Sequence, residues 1–197
     1  MKIQTLAATV VLSITLSACQ TTPKAPVLPT PSIPSESGST QIEAVQHNFK
    51  ITGKIGVRTP EQNGSAFYGW TQEGEHFAID LTGAMGIGQT SIRGIPGKVT
   101  LNSSKTGIIE ASTPEELLFQ ATKWQAPITY LVSWINGEAV EKDAMTQKDP
   151  LNRLIAVQEG GWHTTFSYAG SEKLPNKLVL IENEKQNRVT LTIQSRE

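Results

Sequence analysis

The side chains able to do chemistry are few, and their spacing argues against most reactions. His47, His76 and His163 are far apart, and none stands in a His-x-x-x-His spacing that would put two metal ligands on one helical face. No Gly-x-Ser-x-Gly elbow supplies a nucleophile to set beside one of them. Cys19 is the only cysteine, so no intramolecular disulfide, thiolate metal cluster or Cys-x-x-Cys redox pair can form. Glu115 and Glu116 are adjacent carboxylates, but they follow Thr113-Pro114 in the first turn of a helical pattern, where acids favour the helix dipole. The nearest approach to a known motif is Gly83-Ala-Met-Gly-Ile-Gly-Gln-Thr90. It has the glycines and threonine of a phosphate loop, Gly-x-x-x-x-Gly-Lys-Ser/Thr, with Gln89 where the lysine should be. Its flanks alternate like strands, whereas a phosphate loop must open a helix. The expectation is therefore a non-enzyme with no metal and no cofactor. A formal net charge of −1 without a basic stripe excludes nucleic acid.

The same glycine-rich stretch is unusual for another reason. Most turns are polar, but this one carries Met85 and Ile87, with no neighbouring side chains in the turn to bury them. An apolar tip on a loosened backbone needs a partner: the protein's own core, another protein or a bilayer.

The N-terminus narrows the choice. Lys2 precedes an apolar run over residues 3–16, followed by Ser17 and Ala18 directly before Cys19, which is the plan of a secretory signal peptide over residues 1–18. At about 1.5 Å per residue that run is too short to cross a hydrocarbon core of roughly 30 Å as a permanent helix. Leu16-Ser17-Ala18-Cys19 resembles the bacterial lipobox, in which the cysteine is lipidated and becomes the mature N-terminus. Acyl chains contribute about 0.8 kcal/mol per buried CH2, so several of them would anchor the chain permanently. The residue after Cys19 is Gln20 rather than the aspartate associated with inner-membrane retention, which predicts the periplasmic leaflet of the outer membrane. Residues 19–41 are rich in Pro, Ser and Thr and read as a semi-extended tether. In polyproline II form, at about 3.1 Å per residue, they could hold a domain as much as ~60 Å from the membrane.

The folded domain is expected over residues 42–197, with a helical turn at 42–47 and then mainly strands. Phe49, Ile51, Gly53, Ile55 and Val57 alternate with polar neighbours, the period of a strand with one wet face. Further strands are expected over 65–72, 76–81, 89–94 and 98–102. The period changes to helical between 113 and 137. Thr113-Pro114-Glu115-Glu116 is a capping box with proline at the first helical position, leading a short helix that ends near Trp124. A second helix starts at Ala126-Pro127 and closes at Asn136-Gly137. Residues 138–150 read as a polar connection. Strands resume over 151–158, 161–168, 177–182 and 188–194. Regular spacing and short turns predict an antiparallel meander that curls, with the two helices covering its open face. Alternation looks the same whether the interior is filled or hollow, so periodicity leaves that question open.

Taken together these segments resemble the LolB family of outer-membrane lipoproteins, over nearly the whole mature chain. The resemblance rests on the lipobox at Cys19, the strand from Asn48 to Val57, the loop Leu81-Thr-Gly-Ala-Met-Gly86, Trp124-Gln-Ala-Pro-Ile128 with Leu131, Trp134 and Gly137, and Leu174-Pro175. It implies an incomplete antiparallel β-barrel of about eleven strands, with short helices covering an apolar cavity for acyl chains. Phe77, Ile79, Leu81, Leu117, Leu131, Trp134, Ile135 and Phe166 are then the residues expected to line that cavity. It also implies a monomer that accepts lipoproteins from a periplasmic carrier of the LolA type and inserts them into the outer membrane, Met85 with Ile87 forming the loop that enters the bilayer. Two readings from other classes compete: a non-catalytic envelope adaptor, and a lipid-modifying enzyme whose cavity holds substrate.

Overall fold

The computed structural model of the chain describes residues 47–60, 63–83, 88–184 and 187–197. Met1–Gln41 and Ile42–Glu197 are separate units, and the fold is that of the second. Cys19, the tether, Met85 and Ile87 lie outside the described residues, as does the helical turn expected at 42–47 apart from His47.

Eleven strands form one antiparallel sheet. On one side of it stand β1 (Asn48–Arg58), β2 (Asn63–Glu73), β3 (His76–Gly83), β4 (Gly88–Ile95), β5 (Lys98–Ser103) and β6 (Gly107–Ala111). After the helices α1 (Pro114–Thr122) and α2 (Ile128–Trp134) come β7 (Met145–Lys148), β8 (Leu154–Glu159), β9 (Trp162–Ser167), β10 (Lys177–Glu182) and β11 (Arg188–Arg196). The order across the sheet is β6-β5-β4-β3-β2-β1-β11-β10-β9-β8-β7. Each half is a meander, and the first and last strands join the halves at the centre. The edges β6 and β7 do not pair with one another, so the barrel stays open. The chain between them must travel from one edge to the other. It crosses the concave face, and the helices formed on the way fill that face.

Period-2 patterning dictates which side is concave. In β1 the positions Phe49, Ile51, Gly53 and Val57 are buried while Lys50, Thr52, Lys54 and Arg58 face solvent. Register carries the same face across the sheet, pairing Ile51 with Trp70, Trp70 with Ile79, Ile79 with Ile92 and Ile92 with Leu101. On the other half Leu191 meets Leu178, which meets Phe166. From above, Leu131, Trp134 and Ile135 of the α2 region enter the same cluster. Burying side chains of this size contributes about 1.5–3 kcal/mol each.

The expected turns follow their sequence cues. Gly160 and Gly161 both have positive φ, 56° and 79°, as a two-residue primed hairpin turn requires between β8 and β9. The threonine cap is in place, with Glu116 N–H donating to Thr113 Oγ1 at 3.1 Å. The return bond of the box lands one residue earlier than expected, from Ser112 N–H to Glu116 Oε2 at 3.0 Å.

Two strands were not expected. β6 is short, and β7 is exposed at all four positions, so neither shows a buried stripe. In β7 the edge position removes the alternation by which a strand is read, and in β6 only Ile109 and Ala111 carry it. The strand expected from residue 151 begins at Leu154 instead. Asp149 Oδ1 accepts from both Leu151 N–H and Arg153 N–H at 2.9 Å, an Asx turn that holds this segment out of the ladder.

Candidate functional site

A cavity of about 390 Å³ opens on the concave face between α2 and the β2–β5 side of the sheet. Trp70, Phe77, Val99, Ile128 and Val132 supply its apolar wall. The volume falls toward the small end of the range in which proteins hold drug-sized ligands.

Each wall residue is set by its neighbours. Trp70 points inward because β2 alternates, and its indole N–H is satisfied within the strand, donating to Gln72 Oε1 at 3.0 Å. Gln72 in turn donates to the carbonyl of Gly74 at 2.6 Å. The buried polar atoms are thereby consumed locally, and the ring offers the cavity hydrocarbon. Phe49 meets it edge-on, centroids 5.5 Å apart. Phe77 is the register partner of Gly94, and its ring lies over that glycine; a Cβ there would come within 2.0 Å of Phe77 Cε1. Only glycine at 94 lets the ring take this position.

The roof is α2, fastened at three places. Pro127 offers no side-chain cap, so Glu115 from α1 does the capping, accepting from Thr129 N–H at 2.7 Å and Thr129 Oγ1 at 2.8 Å. At the other end Arg196 of β11 donates to the carbonyl of Ile135 at 2.9 Å. An acid at the start and a base at the end both favour the helix dipole. Between them Trp134 Nε1–H donates to Glu159 Oε1 at 2.5 Å. Glu159 is buried, 4% exposed, and its carboxylate also accepts from Val140 N–H at 2.9 Å and Glu141 N–H at 2.7 Å. A buried carboxylate is tolerable when donors surround it, and here they come from the helix and the chain that follows it. The same connection carries Glu141, which accepts from Tyr130 Oη–H at 2.7 Å. That acceptor holds the Tyr130 hydroxyl above the usual phenol range, with desolvation a lesser cause. At the cavity rim His47 Nε2 sits 3.4 Å from Glu138 Oε2.

Of the eight positions expected to line a cavity, Phe77 does so. Ile79 and Leu81 are half-buried on the same concave row and pack against the main cluster, as does Phe77. Leu131, Trp134, Ile135 and Phe166 are buried within that cluster, Trp134 and Ile135 completely. Leu117 belongs to a smaller cluster with Val99 and Leu101 under α1. The interior is thus occupied by α2 over much of the sheet and open beside it. Sequence reasoning missed Ile128 and Val132 as wall residues and Glu159 as the anchor. A carboxylate at the inward parity of β8, two residues after Val157, is the one signal that could have revealed it.

An open antiparallel half-barrel whose concave face is apolar and roofed by short helices defines the class of this domain. Its fold is similar to that of a DUF1329 family protein from Desulfovibrio piger, at a TM-score of 0.50 and 4% identity over 78% of this chain and 86% of that one. The profile described as outer membrane lipoprotein LolB matches residues 47–195. The outer-membrane lipoprotein LolB of Pseudomonas putida strain F1 is 33% identical over 150 residues, 74% of this chain and 72% of that one. The namesake in Stutzerimonas stutzeri is 32% identical over 155 residues, 77% and 74% of the two chains. The chain belongs to the LolB family of outer-membrane lipoproteins.

Proposed function

We propose that this chain is a receptor that accepts the acyl chains of lipoproteins beneath α2 and delivers them to the outer membrane without making or breaking a bond. The apolar cavity between α2 and β2–β5, in a chain of the LolB family, is the observation that carries the reading. A cavity of about 390 Å³ would admit an acyl chain only in part. Fuller occupancy requires α2 to move off the concave face, exposing the row of Phe77, Ile79 and Leu81 and the surfaces now covered by Leu131, Trp134 and Ile135. The hydrophobic stabilisation lost when the helix leaves is replaced, at about 25 cal/mol per Å², by contact with the incoming chain. Transfer from a soluble carrier of the LolA type then needs only a modest difference between two apolar environments, and release ends in the bilayer.

In this reading residues 1–18 are removed as a signal peptide, Cys19 is lipidated in the periplasmic leaflet, residues 19–41 form the tether and 42–197 the binding domain of a monomer. Met85 and Ile87, which follow β3 and precede β4 in the chain, enter the bilayer during insertion. Titration with an acylated peptide bearing an environment-sensitive fluorophore tests the cavity: Val132→Glu should abolish the blue shift while far-UV circular dichroism is unchanged. Binding that survives this charge would remove the cavity from the mechanism. Met85→Glu should bind the same peptide normally yet fail to insert cargo into vesicles, and normal insertion would sink the loop assignment.

A further inference from the structure

The convex face of the sheet carries a feature that cargo binding leaves unexplained. Arg58 and Arg188 are direct cross-strand partners in β1 and β11, one step beyond the inward pair Val57 and Val189, so both guanidinium groups point outward from adjacent positions. Directly opposed residues have Cβ atoms about 4.5–5.5 Å apart, and like charges there are destabilising. Both arginines are exposed, and the ion pairs found among the described residues all lie elsewhere. The outward row beneath them runs Thr190, Gly56, Ser65, and the next runs Thr192, Lys54, Phe67, with Lys177 beyond Thr192. These rows hold four cations and no carboxylate.

The surface is also dished. Gly56, on this outward row between Thr190 and Ser65, has no side chain to fill it, and an open depression of about 560 Å³ is lined by Arg58, Asn63, Ser65, Arg188 and Thr190. Two forked guanidinium groups with hydroxyl and amide donors around a hollow are the equipment for a tetrahedral anion. Phe67, 57% exposed, stands two residues along β2 from Ser65. The hollow sits at the end of the sheet where β3 finishes, since a Cβ on Gly83 would lie 3.9 Å from the Cα of Ala66. The anion that such a hollow beside exposed hydrocarbon would meet, in a family of outer-membrane lipoproteins, is the phosphodiester of a phospholipid.

We infer that the Arg58–Arg188 hollow binds the phosphate of anionic lipid headgroups and sets the orientation of the domain on the bilayer. The inference rests on outer-membrane residence and is independent of acyl-chain capture.

The test uses the full lipidated chain reconstituted into vesicles and footprinted with phenylglyoxal, an arginine-specific reagent, with Arg93, ion-paired to Asp80, as internal reference. Vesicles of phosphatidylethanolamine and phosphatidylglycerol should slow modification of Arg58 and Arg188 several-fold relative to vesicles of phosphatidylethanolamine and phosphatidylcholine. Equal rates in the two would overturn the site, and equal protection by inorganic phosphate alone would assign it to the free ion instead. In detergent without anionic lipid, Arg188→Gln should raise the urea midpoint by relieving repulsion. A fall would mean the two charges are already compensated within the chain, and the inference fails. Arg58→Gln/Arg188→Gln should still bind the acylated peptide, so a failure of headgroup protection in the parent chain and a failure of cargo binding are read separately.

Discussion

Glu159 ties α2 and the chain after it to β8. It is a carboxylate inside an apolar cluster, tolerated because Trp134 Nε1–H and two backbone amides converge on it. Glu159→Ala should leave those three donors unpaired and lower stability by about 3 kcal/mol, read as a shift in the urea midpoint. Glu159→Gln keeps an acceptor for Trp134 and should recover part of the loss. Asp149 contributes to the pH dependence, beside Glu110, whose carboxyl Lys98 also holds down. The backbone N–H of Arg153 is the main reason the Asp149 carboxyl sits below the usual range, helped by the Arg153 side chain and Leu151 N–H. Its folded pKa is therefore lower than its unfolded one, near 3.9. The contribution is complete above the unfolded value, falls as the pH drops toward the folded value, and is gone below both. Asp149→Asn should flatten the acid limb of a stability-against-pH curve and leave its neutral plateau nearly level with pH. An acid limb as steep as that of the parent would exclude Asp149 as a contributor.

At the scale of elements the decisive one is α2, seven residues long and too short to be stable alone. It exists because Glu115, Glu159 and Arg196 hold its start, side and end from three other elements. That arrangement couples α1 to the cavity: loosening α1 should loosen the roof. Thr113→Ala removes the cap of α1 and should cost about 1 kcal/mol. Because Glu115 is two residues from the cap, the same variant should also speed amide hydrogen exchange at Thr129. Unchanged exchange there would show that the roof is held independently of α1. Both helices were legible from sequence, since proline, threonine and glycine punctuate them. Their place over the open face of the sheet was expected as well; which inward residues each would cover was not, because a seven-residue amphipathic stripe says only that one face is covered.

In the whole molecule the β1–β11 pairing is the seam between the two meanders, and the cluster beneath it runs unbroken from Phe166 to Trp70. Leu191→Ala, at the centre of that seam, should cost about 2–5 kcal/mol. Tryptophan fluorescence and far-UV circular dichroism should fall together in urea, since a continuous core melts as one unit. Separated transitions would mean the halves are independent. The sequence by itself determined the strands with one wet face, the capped helices, the turns and the absence of spacing for a catalytic or metal centre. These follow from period, punctuation and residue type, which act over a few neighbours. It did not reveal the edge strands: β7 has no alternation because neither face is covered, and β6 has only Ile109 and Ala111 turned toward the cluster under α1. Nor did it show that Trp134 and Ile135 fill the interior while Ile128 and Val132 wall the remaining space. Residues on one helix differ in that respect only by what lies opposite. Arg58 and Arg188, 130 positions apart in the chain, become neighbours only because β11 returns to β1. Such long-range pairings decide which side chains share a cavity or a surface, and only the tertiary structure contains them.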